Sequence, residues 1–434
     1  MMQIALRIAL ALTLVFCSKA MAEQLVLSGR TAFSLARSDI NSSDLAKFNY
    51  GRGLFHHVWQ VVEHEDGTRS GIGPLFNSNS CAGCHIRDGR GRPPLKTDKN
   101  SGSFVVVLGT PDNQGGSAPD STYGFQLQDQ SVGIEPEAKV TVRYRYTIDK
   151  VLNIELREPI IVLSEFAFGP PNELTMYTGR IAPQLIGLGH LEAVDDDDLS
   201  ALADPHDVDE DGISGRINVL ADGSAGRFGW KATSPSVHFQ SVKAASFDMG
   251  ISTPTFPKYA GDCTSLQADC LDASLVRPQN KHTELDVNEA RILANYTSNL
   301  QVPPRRYIDV PAVKSGEVLF AKAGCANCHI PDFASTESSR GAYTDLLLHD
   351  LGQGLADATL GKSEFAREWR TPPLWGIGYT EEVNGNIFYL HDGRARNLTE
   401  AILWHGGEAQ VSADNFRALN SIERENLISF LKSL

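Results

Sequence analysis

Two stretches decide how this chain is read: Cys81-Ala82-Gly83-Cys84-His85 and Cys325-Ala326-Asn327-Cys328-His329. Two thiols at i and i+3 followed at once by histidine let one turn of backbone offer both sulfurs to the vinyl groups of a porphyrin, while the histidine coordinates the iron from beneath. With 7 cysteines and 12 histidines in 434 residues, composition alone yields the pattern about 0.003 times per chain, so two copies are not accidental. A single zinc site built from both cysteine pairs would have to close across about 240 residues and would leave both histidines idle. The motifs therefore call for two covalently bound c-type haems, with His85 and His329 as proximal iron ligands.

The start of the chain fits that chemistry. Arg7, the apolar run Ile8 to Cys17, and the small-residue site Ala20-Met21-Ala22 have the order of an export signal, with cleavage expected after Ala22. A lipoprotein signal modified at Cys17 is the rival, but bulky Phe16 stands where a small residue is wanted. Export to the periplasm suits c-type haem, which is attached outside the cytoplasm. It also suits Cys263 and Cys270, spaced for a short-loop structural disulfide in an oxidising compartment. No other apolar run is long enough to span a membrane. A net charge of −14 argues against nucleic acid and anionic membrane as partners.

Outward from the motifs, the chain divides. Glycines 51, 53, 71 and 73 before the first motif, and Gly89, Gly91, Pro93 and Pro94 after it, predict loop and short helices around a haem that replaces a large core. From about 103 to 165 the pattern turns to period-two alternation, clearest in Lys139-Val-Thr-Val-Arg-Tyr-Arg-Tyr146, which predicts a β-rich insertion without chemistry of its own. A Pro-rich linker at 301–305 leads to a second unit, and Asn415 to Leu434 reads as a closing amphipathic helix. The expected fold class is mainly α: two cytochrome c-like haem domains, 23–304 and 305–434, the first carrying the insertion, after a signal peptide at 1–22.

Between the motifs, Asp207, Asp209 and Asp211 stand at positions one, three and five of a loop, with Gly212 where calcium loops turn. Calcium is the natural ion. Asn218 at position twelve and the lack of flanking helices mark the loop as no regular EF-hand, and a solvated acidic turn is the alternative.

Over nearly the whole chain after the signal, the residues resemble the di-haem oxidoreductase family, itself similar to bacterial di-haem cytochrome c peroxidases and the di-haem enzymes of methylamine utilisation. The resemblance rests on both haem motifs and on Gly73-Pro-Leu-Phe-Asn77, Asp88-Gly-Arg-Gly91, Gly226-Arg-Phe-Gly-Trp-Lys-Ala232, Asp248-Met-Gly250, Glu368-Trp-Arg-Thr-Pro-Pro-Leu-Trp375 and Leu390-His-Asp-Gly-Arg394. It implies that the N-terminal haem reduces peroxide or another small oxidant. The C-terminal haem is then six-coordinate and takes electrons from a small redox donor protein.

Residue by residue, the resemblance puts His405, the last position of Leu398-Thr-Glu-Ala-Ile-Leu-Trp-His405, where the peroxidases often have a methionine as second axial ligand. Imidazole in that place lowers the haem potential. His391 falls on a contact to the haem periphery, with His349, in a Leu-rich segment read as helix, as a structural competitor. Trp230 matches the aromatic position between the haems. Gln240 and Asp248 match distal-pocket positions that bind peroxide and handle its protons, a task O–O cleavage demands of a nearby acid–base group. Met249, Met176, His56, His57 and His64 are further candidates for the distal side of the first haem. Against the peroxidase-like enzyme stand a non-catalytic di-haem electron carrier and an enzyme that oxidises a protein or small substrate; an open coordination position separates the enzymes from the carrier.

Overall fold

The computed structural model describes residues 29–65, 69–111, 116–275, 283–334, 341–361 and 363–434. The export signal and Cys17 lie outside these described residues. No helix among them is long and apolar enough to cross a membrane.

Helix accounts for 33% of the described residues, an ordinary share, because strands and loop take up the rest. Its longer helices begin where capping chemistry dictates. Asn41 accepts from the Asp44 N–H to start Ser42–His56. Asp286 with Glu289 and Asn420 with Glu423 form reciprocal capping boxes that start Val287–Ser298 and Ser421–Leu431. The helix Val237–Met249 starts at Ser236, whose hydroxyl accepts from the Phe239 N–H, and stops at Gly250 in the left-handed region (φ 61°). A Cβ at Gly250 would meet the Leu75 carbonyl oxygen at 2.7 Å, so only glycine lets this helix end back directly onto the segment leading to the first motif.

The alternating stretch does form strands. Lys139–Asp149 and Ile154–Ser164 make a long antiparallel hairpin, registered from Lys139 opposite Ser164 to Asp149 opposite Ile154. Val140, Val142, Ile161 and Leu163 turn their side chains to a core of Phe104, Val106, Leu108, Tyr123 and Leu127. Phe104–Pro111 is the centre of a second sheet, flanked by Met176–Ile181 and Gln126–Leu127. Strand structure thus continues to residue 181, past the expected limit of 165, because Met176–Ile181 closes the sheet from the far side.

Two elements differ from expectation. His349 sits in a short strand, Leu348–Asp350, paired with Glu368–Arg370, so the Leu-rich run is extended backbone and not helix. The closing stretch is two helices, Gln410–Ala418 and Ser421–Leu431, because Asn420 caps the second and interrupts the first. The disulfide Cys263–Cys270 is formed.

The largest core cluster gathers Phe33, Phe48, Phe55, Leu293 and Tyr296 together with Phe333, Trp375, Tyr379 and Val383, from both sides of position 304. A second packs Leu319, Phe320, Tyr343, Leu427 and Phe430 around the second motif. Helices Pro311–Lys322 and Ser421–Leu431 supply Leu319, Phe320, Leu427 and Phe430.

Candidate active site

The first motif folds as the spacing requires. Ser80 caps a single turn, Cys81–Cys84, by accepting from the Gly83 N–H, and the His85 N–H donates to the Cys81 carbonyl. The His85 ring places Nδ1 2.8 Å from the Pro183 carbonyl oxygen. With the Nδ1 proton committed there, Nε2 is the atom left for iron. Burial pulls the imidazole down to about 4, so it is neutral and fit to ligate. The second motif repeats this arrangement: His329 Nδ1 lies 2.8 Å from the Tyr343 carbonyl oxygen, and burial pulls this ring too down to about 4. His405 lies close enough to His329 for their charges to interact, and its own Nδ1 is 2.8 Å from the Ala401 carbonyl oxygen. His329 and His405 are thus two half-buried imidazoles, both lowered by desolvation, each with Nε2 available.

A cavity of about 900 Å³ opens beside the first motif, lined by Cys81, Cys84, His85, Trp230, Gln240 and Asp248 among others. All three residues that the resemblance assigned to catalysis therefore share one space with His85. Asp248 is brought there by the helix stop at Gly250, and its carbonyl accepts from the backbone N–H groups of Asn77 and Ser78. Its carboxyl is half-buried in the cavity wall, and desolvation pushes it up to about 6, only partly offset by a 2.7 Å hydrogen bond from the Gln126 side-chain amide. Gln240 presents its Oε1 to the Ser234 hydroxyl at 2.8 Å. The Trp230 indole N–H donates to the Ile181 carbonyl at 2.9 Å.

Other candidates are placed elsewhere. His391 is buried, stacks on Trp369 with ring centroids 3.8 Å apart, and faces Trp230 edge-on at 6.5 Å. His349 has Nε2 on Asp345 at 2.7 Å and Nδ1 on Glu408 at 2.9 Å, so neither nitrogen is left for iron. Burial alone would lower it, but these carboxylates hold it well above the usual histidine range. Met176 is exposed on a strand, and His56, His57 and His64 are exposed outside the cavity. Met249 is buried with its sulfur 3.9 Å from Cys81 Sγ. Among the described residues no metal-ligating cluster unites the two cysteine pairs; Cys328 lies instead with Asp345 and His349. The acidic loop gathers carboxylates of Asp204, Asp207 and Asp209, and Asp204, Asp209 and Asp211 line a small polar recess with Asp345 and His349. Asp204 was not among the loop ligands expected from sequence.

Three further residues of the large cavity escaped the sequence reading. Gln126 comes from the strand region read as lacking chemistry, and no local pattern marks it. Lys243, held below its usual value by burial, lies on the same helix face as Gln240 and Phe247, a 3.6-residue periodicity that could have found it. Arg90 lay in plain view inside Asp88-Gly-Arg-Gly91.

The residues fit two haems. A large, mostly apolar cavity adjoins one pair of thiols and its histidine. The other motif histidine is matched by a second imidazole.

The chain belongs to the di-haem oxidoreductase family: the family model described as "Di-haem oxidoreductase, putative peroxidase" matches residues 172–434. Membership implies two haem cofactors and an oxidoreductase. No curated protein sequence matches the chain. Among solved structures, a hydrazine synthase of Kuenenia stuttgartiensis is similar at 13% identity and TM-score 0.35, covering 93% of this chain and 91% of that one. The diheme peroxidase BthA of Burkholderia thailandensis is similar at 15% identity and TM-score 0.30, covering 49% of this chain and 66% of that one.

Proposed function

We propose that the protein is a periplasmic di-haem c-type oxidoreductase that takes electrons at a C-terminal haem from a small redox protein and reduces peroxide at an N-terminal haem. One observation carries this reading. His85 is the sole histidine among the described residues lining the cavity, and Asp248, a half-buried carboxyl that desolvation raises to about 6, shares that cavity with it. His85 would hold the N-terminal haem with no second histidine among the described residues on the cavity wall, which would leave room for a small oxidant, whereas His329 and His405 together would hold the C-terminal haem.

When bound, the N-terminal haem supplies the redox-active iron at which the O–O bond is reduced, in the overall balance H2O2 + 2 e− + 2 H+ → 2 H2O. The chain supplies the rest. Asp248 as carboxylate would accept a proton from one peroxide oxygen and return it to the departing one, so that water would leave and not hydroxide. Gln126 holds that carboxylate in place through its side-chain amide, and Gln240 offers an amide to the peroxide. Burial keeps bulk water from competing for these protons. Trp230, on the cavity wall and 6.5 Å from His391, gives electrons an aromatic step between the haems.

The same reading divides the chain into an export signal, an N-terminal haem domain to residue 304 with a β-rich insertion, and a C-terminal haem domain from 305. Thioether attachment at Cys81, Cys84, Cys325 and Cys328 and the Cys263–Cys270 disulfide both favour an oxidising compartment. The carboxylates of Asp204, Asp207 and Asp209 favour calcium in the acidic loop. The test is peroxide consumption by the holoprotein supplied with a reduced small cytochrome. Two donor oxidations per peroxide are expected; no peroxide-dependent oxidation would contradict the proposal and leave an electron carrier.

A further inference from the structure

Arg90 presents a problem that the protein alone does not solve. It is buried at 6% exposure, and its Nε and Nη1 have no hydrogen-bond partner. Among the described residues no carboxylate forms an ion pair with it, in a chain whose net charge is −14. Its guanidinium lies 5.8 Å from the ring centres of both Trp230 and Tyr389. Such ring contacts steer a cation but do not neutralise it. Burial, only partly offset by Tyr389, pulls the group down to about 10. A desolvated, unpaired guanidinium is costly, and guanidinium is the side chain best shaped to hold a carboxylate by two parallel N–H donors.

The backbone around Arg90 is built to keep it there. Asn384 accepts from the Arg90 N–H at 3.1 Å and donates to the Arg90 carbonyl at 2.7 Å, clamping both ends of the residue from a distant part of the chain. A Cβ at the preceding Gly89 would meet Asn384 Oδ1 at 2.6 Å, so the clamp requires glycine. The side chain so held enters the cavity that contains Cys81, Cys84 and His85.

We propose that Arg90 anchors a propionate carboxylate of the N-terminal haem, fixing that edge of the haem between Trp230 and Tyr389. The inference rests on haem attachment at Cys81 and Cys84, and it names the residue that orients the attached group. The anchored edge faces Trp230, the proposed electron step, and the positive charge beside it raises the potential of the N-terminal haem. Arg90 is thus a positioning residue.

The test uses the full-length holoprotein with Arg90→Gln and Arg90→Lys. Haem on the peptide containing residues 81–85 is counted first by mass. Resonance Raman then reads the propionate bending band, and a redox titration reads the midpoint of each haem. Arg90→Gln is expected to shift the band and lower the midpoint of the N-terminal haem alone, because loss of a nearby positive charge favours ferric iron; Arg90→Lys is expected to recover part of both shifts. An unchanged band and midpoint in Arg90→Gln overturns the proposal. So does an unchanged band with weakened formate binding, which assigns the guanidinium to an external carboxylate. If Arg90→Gln fails to load haem, Arg90→Lys decides: a shifted band supports the anchor and an unshifted one overturns it. Wild-type protein without haem on Cys81 and Cys84 overturns the attachment and, with it, this proposal.

Discussion

Desolvation gives the Asp248 carboxyl a value suited to the proton transfer proposed for it. Raised to about 6 by desolvation, it is ionised and able to accept a proton only above that pH. Peroxide turnover is therefore expected to rise with pH through about 6, and Asp248→Asn to lower it by roughly 10²- to 10⁴-fold with haem content unchanged. The hydrogen bond from Gln126 favours the carboxylate, so Gln126→Leu raises the Asp248 value further and moves the rising limb to higher pH. A pH–rate profile of the three proteins checks both, and a limb that stays put in Gln126→Leu contradicts the assignment. At the other haem, His405→Met is expected to raise the midpoint of the C-terminal haem while leaving it low-spin, since thioether ligation favours ferrous iron. An unchanged midpoint in a redox titration would remove His405 from the iron.

At the scale of elements, the sequence was legible where local chemistry dictates geometry. CxxCH spacing, period-two alternation at 139–146 and the pairing of Cys263 with Cys270 are such cases. It was opaque where a residue's role depends on distant partners. Gln126 is marked by hydrogen bonds to Asn77 and, across 122 positions, to Asp248, and Asn384 by bonds to Ile86 and Arg90 across nearly 300. The Leu-rich run around His349 is strand and not helix because pairing with Glu368–Arg370, a tertiary contact, outweighs its helix-forming composition. The Asn384 clamp joins the helix Thr380–Asn384 to the segment after the first motif with three hydrogen bonds. Asn384→Ala leaves buried backbone groups unpaired and is expected to cost about 2–3 kcal/mol, measured by denaturant titration. A loss under about 0.5 kcal/mol would show that the clamp is dispensable.

For the molecule as a whole, the largest core cluster crosses the linker at 301–305. The two proposed haem units are therefore expected to unfold together, with Soret absorbance and far-ultraviolet circular dichroism losing signal in one coincident thermal transition. Two separated transitions would mean that each unit stands on its own core. Function also belongs to this scale, because the proposal gives the two irons different tasks within one body.

The most direct test is an optical and electron paramagnetic resonance spectrum of the purified protein, oxidised and half-reduced, before and after adding hydrogen peroxide. The proposal predicts one low-spin haem, ligated by His329 and His405, and one haem that is high-spin in at least one of these states and changes on peroxide addition. Two low-spin haems inert to peroxide in every state would contradict it.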